Sequence, residues 1–301
     1  MYDLIIIGAG PAGITAAVYA ARKKINTLVI TKDIGGQAAW SGDIENYTGY
    51  QFITGPDLVS KFEEHLRQYD VVLKENEEAI ELKKGQDLIN VKTDKNTYET
   101  KTLIIASGKK SRQLNVAGEE EFRNRGLTYC ATCDAPLFSA KDVAIIGGGN
   151  SALDAAIQLM SIARHIYIIN ITSSLNGDAI MIEKVKESKI TTIFNDVRVK
   201  EIIGDRFVNK IKIERQGKEE ELSVQGVFIE IGLIPNSDFA NGIEKNQYGE
   251  IKVNPHNETN IPGVFAAGDV TDVPEKQIII ATGEGSKAAL SAFRYLAQHK
   301  F

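Results

Sequence analysis

Two residues in this chain have a type and a spacing that could do redox chemistry. Cys130 and Cys133 are the only cysteines among 301 residues, and they form Cys130-Ala131-Thr132-Cys133-Asp134. Cysteines separated by two residues can close a small disulfide ring. Such a pair often opens a helix, whose N-terminal N–H groups favour a thiolate and lower one thiol's pKa. Asp134 follows at once, a carboxyl within reach of a sulfur that needs a proton. Other uses of the pair are less well supported. Zinc needs four ligands, and His65, His165, His256 and His299 are scattered without ligand spacing, so no metal site is expected. A structural disulfide belongs to secreted chains. Met1-Tyr2-Asp3-Leu4 enters an apolar run with no basic leader, so a cytoplasmic protein is expected. Two buried, inert cysteines are the remaining alternative, and the flanking segments argue against it.

Those flanks must position the pair. Leu4 to Ile7 is an apolar run ending in Gly8-Ala9-Gly10-Pro11-Ala12-Gly13. An alanine-rich helix to about Arg22 and a strand from Thr27 to Ile30 follow. Strand, G-x-G-x-x-G, helix, strand is the order of a Rossmann unit, whose glycines let the backbone approach a pyrophosphate at the helix N-terminus. The acidic residue usual after the second strand is absent, and Thr31-Lys32 stand there. A second unit follows the cysteines: strand Asp142 to Ile146, turn Gly147-Gly148-Gly149-Asn150-Ser151-Ala152, a helix to about Ala163, and strand Ile166 to Ile169. Tyr2–Thr31 aligns with Lys141–Asn170, placing Gly8 on Gly147 and Thr31 on Asn170. This internal duplication predicts two dinucleotide-binding units. A dithiol between them reads as an electron relay from nicotinamide to flavin to disulfide.

The rest of the chain frames these units. Gly35-Gly36-Gln37 is a turn with an amide. A helical stripe runs through Leu58, Val59, Phe62, Leu66 and Tyr69. Residues 71–105 read as five short strands, the last two being Thr97 to Lys101 and Leu103 to Ile105. That last strand runs into Ala106-Ser107-Gly108, small residues suited to a cofactor's close approach. Between Ile180 and Ile231 a helix (Ile180 to Ser188) and four strand-like runs are expected. Ser111 to Gly118 and Gly232 to Asn236 are candidate crossings between domains. Gly263 to Asp269 is a buried strand ending in a carboxylate, suited to a polyol, and a helix from about Gly283 closes the chain. Hydrophobic residues make up 43% and charged residues 25% of the chain, with net charge −5 and pI about 5.6. The acidic balance argues against nucleic-acid binding, and no apolar run is long enough for a membrane span.

The order and spacing of Gly8–Gly13, Gly36-Gln37, Glu45-Asn46, Cys130–Asp134, Gly147–Ala152 and Gly263–Asp269 resemble those of the low-molecular-weight thioredoxin reductases over essentially the whole chain. Tyr129 to Phe138 and Lys276 to Gly285 are even more similar to the reductase body of the flavoprotein subunit of alkyl hydroperoxide reductase. That subunit carries an extra N-terminal thioredoxin-like region. This chain starts at the flavin unit, so a separate partner protein is expected. The resemblance implies an α/β fold of two three-layer (ββα) Rossmann-like domains, the second inserted into the first. A discontinuous FAD-binding domain would comprise residues 1–112 and 244–301, and an NAD(P)-binding domain residues 113–243. It implies a homodimer in which one domain swivels against the other. The FAD contacts it implies are Gly8, Gly10, Pro11, Ala12, Gly13, Thr31, Gly35, Gly36, Gln37, Asn46, Ala106, Ser107, Gly108, Gly268, Asp269, Lys276, Gln277 and Ile278. Gly147, Gly149, Asn150, Ser151, Ala152 and Asn170 would hold the nicotinamide cofactor. Cys133 would be the flavin-proximal sulfur, Cys130 the one that attacks the partner, and Asp134 their acid/base.

One departure bears on the donor. NADPH-using members carry His-Arg-Arg and a further Arg after the second strand of the inserted domain. Here Asn170-Ile171-Thr172-Ser173-Ser174-Leu175 has no positive charge, so a 2′-phosphate lacks charge-assisted partners. NADH is therefore expected at least to match NADPH, with Asn170 available to a 2′-hydroxyl. The expected acceptor is a thioredoxin or a glutaredoxin-like protein. The alternatives are a peroxiredoxin-system reductase, a reductase fed by ferredoxin or another flavin, and a non-enzymatic redox sensor.

Overall fold

The computed structural model describes residues 1–41, 43–44, 46–129 and 131–299. The chain forms two compact units. One is built from Met1–Lys110 and Ile234–Phe301, the other from Ser111–Leu233. The return to the first unit comes earlier than the expected boundary at 243/244. Ala240 and Ile243 cause the difference, since both are buried in the first unit's core with Ile5, Ile7 and Ile251.

The first unit is organised by a seven-stranded sheet. Its order is Val72–Lys74, Thr27–Ile34, Tyr2–Ala9, Thr97–Ile105, Ile89–Thr93, Ala79–Lys84, with Val264–Ala266 also on Thr97–Ile105. The central pairings are parallel, and the last two strands form an antiparallel hairpin. Central parallel strands are covered on both faces, which explains their unbroken apolar runs. Leu4 and Ile6 face helices Pro11–Arg22 and Ile278–Gln298, while Ile5 and Ile7 face the hairpin side. Thr97–Ile105 is one strand, where the sequence suggests two. Thr102 interrupts the apolar pattern, but it is buried and its hydroxyl donates to the Asp3 carbonyl at 2.7 Å. The same strand changes its edge partner midway: Thr97–Thr100 pairs with Ile89–Lys92, and Leu103–Ile105 with Val264–Ala266.

The second unit carries a five-stranded parallel sheet. Its order is Leu127–Thr128, Gly226–Ile229, Asp142–Ile146, His165–Ile169, Thr191–Phe194. Helices Asn150–Leu159 and Ala179–Glu187 lie on one face, packing through Leu153, Ala156 and Val185. A three-stranded antiparallel sheet, Val197–Gly204, Val208–Arg215 and Lys218–Ser223, packs on the other through Ile202, Ile211 and Ile213. The stretch from Ile180 to Ile231 thus holds five strands where four are expected.

In the first unit, the two helices meet at Gly285, where a Cβ would stand 2.0 Å from the Ala12 carbonyl oxygen. Gly283 precedes it on the same helix, and a Cβ there meets nothing within 4 Å. Gly283→Ala should therefore stabilise by up to about 1 kcal/mol through helix propensity. Gly285→Ala should destabilise by about 1–3 kcal/mol through overpacking. Urea midpoints of the two variants check this, and equal shifts would contradict it.

Candidate functional site

Each glycine-rich turn combines packed glycines with one open position. In the first unit Gly8 has φ +102°, and a Cβ would lie 2.3 Å from the Ala106 carbonyl oxygen. A Cβ on Gly13 would lie 1.9 Å from the Gly8 oxygen. These glycines are required by packing. Gly10 differs, because the nearest atom to its Cβ would be the Gly35 oxygen at 3.9 Å. Gly36, with φ +52°, faces Gly10 across similarly open space. Pro11 and Ala12 open the helix behind this gap, with Pro11 in the first turn where its missing N–H costs nothing.

The remaining predicted residues of this unit lie in linked contacts. Gln37 Nε2 donates to the Lys109 carbonyl at 3.5 Å, and Asn46 Nδ2 to Gln277 Oε1 at 3.0 Å. Ile278 begins the C-terminal helix. Ser107 Oγ donates to the Asn236 carbonyl at 2.6 Å and Asn236 Nδ2 returns a bond to the Ser107 carbonyl at 2.9 Å. Gly108, with φ +65°, accepts from the Asn236 N–H at 2.9 Å. In the sequence Asn236 stands only as the end of a candidate crossing between domains. Glu45 lies outside the described residues.

Asp269 follows Gly268, whose φ is +75°. Among the described residues its carboxylate accepts no hydrogen bond. Burial raises its titration, Lys276 and Lys109 pull it down, and Glu250 adds to the rise. Glu250 bridges those lysines, at 2.9 Å from Lys109 Nζ and 3.3 Å from Lys276 Nζ. A half-buried carboxylate with spare lone pairs suits ligand hydroxyls. Lys109 and Glu250 escape sequence reasoning because nothing local links residues so far apart.

The second turn repeats the first. Gly147 has φ +139°, and a Cβ would lie 2.2 Å from the Glu230 carbonyl oxygen. At Gly149 the nearest atom would be the Asn176 oxygen at 3.7 Å. Ala152, at the position matching Gly13, is fully buried, and Ser151 is exposed. Asn150 Oδ1 accepts from the Asp178 N–H at 2.7 Å, and the Asn176 N–H donates to the Gly148 carbonyl at 2.7 Å. The loop after the second strand is thereby tied to the glycine turn.

Thr31, inside strand Thr27–Ile34, and Asn170, just after strand His165–Ile169, are the aligned positions, and the polar atoms of both are engaged by nearby groups of the chain. Thr31 Oγ1 accepts from the Ala9 N–H at 3.1 Å and donates to the Asp33 carbonyl. Asn170 Nδ2 reaches the Thr172 and Ser174 carbonyls at 3.0 and 2.9 Å and Asn195 Oδ1 at 2.9 Å. Its Oδ1 accepts from the Thr172 N–H at 3.3 Å and hydroxyl at 2.9 Å. Both lone pairs are engaged, so a ribose hydroxyl would have to displace a loop contact. Arg164 lies at the other end of that strand, in a two-pronged pair with Asp142 at 2.7 and 2.5 Å. The Arg164 contact holds the Asp142 carboxyl below its ordinary range.

The segment leading into the cysteines is held by a strand pairing and by a buried carboxylate. Leu127–Thr128 pairs with Val227–Phe228. Glu119, almost fully buried, accepts from the N–H groups of Leu114 and Asn115 at 2.7 and 2.6 Å and from the Tyr129 hydroxyl at 2.8 Å. Burial and that carboxylate push the Tyr129 phenol up. Cys130 lies outside the described residues, and Cys133 is described by its backbone, in the single helical turn Ala131–Asp134. A 3-10 turn, Ala135–Phe138, continues it. The expected helix is thus shorter than a macrodipole argument requires. Asp134 accepts from the Thr128 hydroxyl. Glu230 accepts from the Ala131 N–H, and burial pushes its carboxyl up to about 7.

Paired dinucleotide-type turns in a two-unit α/β chain with a cysteine pair define an oxidoreductase of the dinucleotide-binding class. Residues 2–289 match the pyridine nucleotide-disulphide oxidoreductase family, and the chain belongs to it. It is similar to an NADH dehydrogenase of Bacillus subtilis (strain 168), 41% identical over 99% of this chain and 59% of that protein. The F subunit of alkyl hydroperoxide reductase from Staphylococcus aureus (strain NCTC 8325 / PS 47) is 40% identical, over 99% of this chain and 60% of that protein. The chain therefore spans less than two thirds of the length of these curated relatives. Its fold is that of low-molecular-weight thioredoxin reductases. Lactococcus lactis thioredoxin reductase in its FR conformation superposes with TM-score 0.86 at 34% identity, covering 99% of this chain and all of that one.

Thr31→Val should remove two bonds to backbone groups while keeping shape. A loss of about 1–3 kcal/mol is expected, read from urea unfolding. An unchanged midpoint would show that the Ala9 and Asp33 groups find other partners.

Proposed function

We propose that this chain is a flavin-dependent disulfide reductase, taking electrons from a nicotinamide nucleotide and delivering them to a thioredoxin or glutaredoxin-like protein. The observation that carries this reading is the repeated turn in which a glycine packed against the neighbouring strand is followed, two positions on, by one that faces open space. It occurs twice, at Gly8–Gly13 and Gly147–Ala152, around one Cys-x-x-Cys segment. Gly10, Gly36 and Asp269 suit a long dinucleotide such as FAD, with close backbone for its pyrophosphate and a free carboxylate for its polyol chain. Gly149 and Asn150 suit the nicotinamide cofactor's phosphates. When bound, FAD supplies two-electron transfer between a nicotinamide and a disulfide.

The chain's own residues manage positions and protons. Cys133 is read as the flavin-proximal sulfur and Cys130 as the one that attacks the partner disulfide. Asp134 gives and takes protons at these sulfurs, steered by its bond from Thr128. Exchange passes through a mixed disulfide, so its rate follows thiolate fraction and access. The chain is further read as a homodimer acting in the cytoplasm. No helix among the described residues is long and apolar enough to cross a membrane. A peroxiredoxin-system role is the second reading, favoured by the likeness to the F subunit of alkyl hydroperoxide reductase. A partner assay with thioredoxin, glutaredoxin-like proteins and a peroxiredoxin separates the two.

The donor is read as a nicotinamide nucleotide, with NADH at least as effective as NADPH. From Asn170 to Asn176 every residue is uncharged, and Asp178 caps the next helix through the Ile180 N–H. Arg164 is engaged at the strand's opposite end. The Bacillus relative named NADH dehydrogenase supports the same choice. A missing charged partner is worth about 1.5–3 kcal/mol, roughly one to two decades in affinity. Anaerobic flavin reduction by each nucleotide should give kcat/KM for NADH at least equal to that for NADPH, with the ratio unchanged in Arg164→Ala. A clear NADPH preference would refute the assignment, and no reduction by either would favour a ferredoxin-type donor.

Cys133→Ser should retain reducible flavin yet lose transfer to a protein disulfide. Asp134→Asn should slow the same transfer by about 10²–10⁴-fold. Parent-rate turnover in the cysteine variant would remove the pair from the mechanism.

A further inference from the structure

We propose that Glu250 is a positioning residue of the flavin site, a counter-ion that draws Lys109 and Lys276 away from Asp269 and leaves that carboxylate open to a ligand's hydroxyls. This rests on the flavin-dependent reading above and names the group that prepares its polyol contact. All four residues belong to the first unit. Asp269 and Lys276 line one small pocket with Gly268, Ala281 and Glu284. The Lys276 ammonium donates to the Thr271 carbonyl. Thr271 is in turn tied to the Gly268 carbonyl through its N–H at 3.0 Å and its hydroxyl at 2.8 Å. A cation thus stands against the turn that presents Asp269. Among the described residues the Asp269 carboxylate nevertheless makes no ion pair, while both lysines are paired elsewhere.

Glu250 accounts for this. Its Oε1 lies 2.9 Å from Lys109 Nζ and 3.3 Å from Lys276 Nζ, so one oxygen holds both ammonium groups. Its Oε2 accepts from Asn246 Nδ2 at 2.6 Å, and Asn246 Oδ1 accepts from the Glu250 N–H at 3.0 Å. The carboxylate is therefore fixed by its own loop as well as by the lysines. The Glu250 and Lys109 side chains are only 15% and 13% exposed, where solvent screens a pair weakly. Against the effect of burial, Asn246 and the lysines hold the Glu250 carboxyl below its ordinary range.

Two lysines and two carboxylates leave the cluster neutral, yet the pairing is one-sided. Burial raises the Asp269 carboxyl, and the charges of Lys276 and Lys109 oppose that rise without bonding to it. The pocket's buried carboxylate, Glu284, is already held by Lys287 Nζ at 2.9 Å and by the Asn257 amide. Asp269 is thus the acceptor left open. A carboxylate offers about four lone-pair positions, and an ammonium closing on it would occupy those that a polyol needs. With Glu250 neutralised, Lys276 is released beside Asp269, and ligand hydroxyls must compete with a cation.

FAD release from the purified holoprotein, followed as recovered flavin fluorescence after dilution, reads this without turnover. Glu250→Gln should release FAD about three- to tenfold faster, equivalent to one net hydrogen bond. Simple charge attraction predicts the opposite sign, because the variant adds positive charge near an anionic pyrophosphate. In a Lys276→Met background, Glu250→Gln should change release by less than about twofold, since coupled residues are non-additive. That background also carries the test if Glu250→Gln alone does not fold. Release from Glu250→Gln no faster than from the parent, or an undiminished effect of Glu250→Gln in the Lys276→Met background, would overturn the proposal. A parent protein that takes up no FAD would overturn the flavin reading instead.

Discussion

Both units depend on one close backbone approach. The first glycine of each turn passes against the residue that ends the neighbouring strand, Ala106 in one case and Glu230 in the other. A Cβ at either position would sit well inside van der Waals contact. This approach brings the turn tight against the sheet and leaves the middle glycine facing open space. The alternation of locked and open glycines explains why G-x-G-x-x-G is a usable signal, since each position answers a different demand.

The duplication also shows where two copies of one scaffold diverge. Thr31 and Asn170 occupy aligned positions, yet Thr31 ties the Ala9 N–H to the Asp33 carbonyl within its own sheet, whereas Asn170 spends its polar atoms on the following loop and Asn195. Ala106 and Glu230 likewise share a structural position, yet only the second carries a carboxyl. The backbone there answers to the glycine turn, so the side chain was free to change. A methyl in one copy faces small-residue packing, and a carboxyl in the other reaches the cysteine segment.

Much of the fold was legible because parallel strands, helices and turns write themselves locally. Strand Asp142–Ile146 ends where its apolar run ends. Thr102 misled, because a buried hydroxyl bonded to a distant carbonyl looks polar in sequence. The tight turns of the candidate site were legible where they depend on backbone, at Gly8, Gly13 and Gly147. The candidate site was not legible where it depends on long-range pairing. Lys109 meets Glu250 across 141 positions, and Glu119 gathers its donors from an irregular segment. Glu230 was hidden for another reason, since a carboxyl at the end of an apolar strand reads as an edge residue until its partner is known.

The strand Val264–Ala266 and the helix Ile278–Gln298 complete a core begun at Leu4. Synthesis proceeds from the N-terminus, so residues 2–105 leave the ribosome with one edge of their central strand open. They wait while Ser111–Leu233 is made. The inserted unit has its whole core in hand before the first unit has its last strand. Domains generally fold as units, and the inserted unit is complete in the chain before the first unit is. Until Ile278–Gln298 is made, the alanine face of Pro11–Arg22 lacks the helix that covers it in the folded chain.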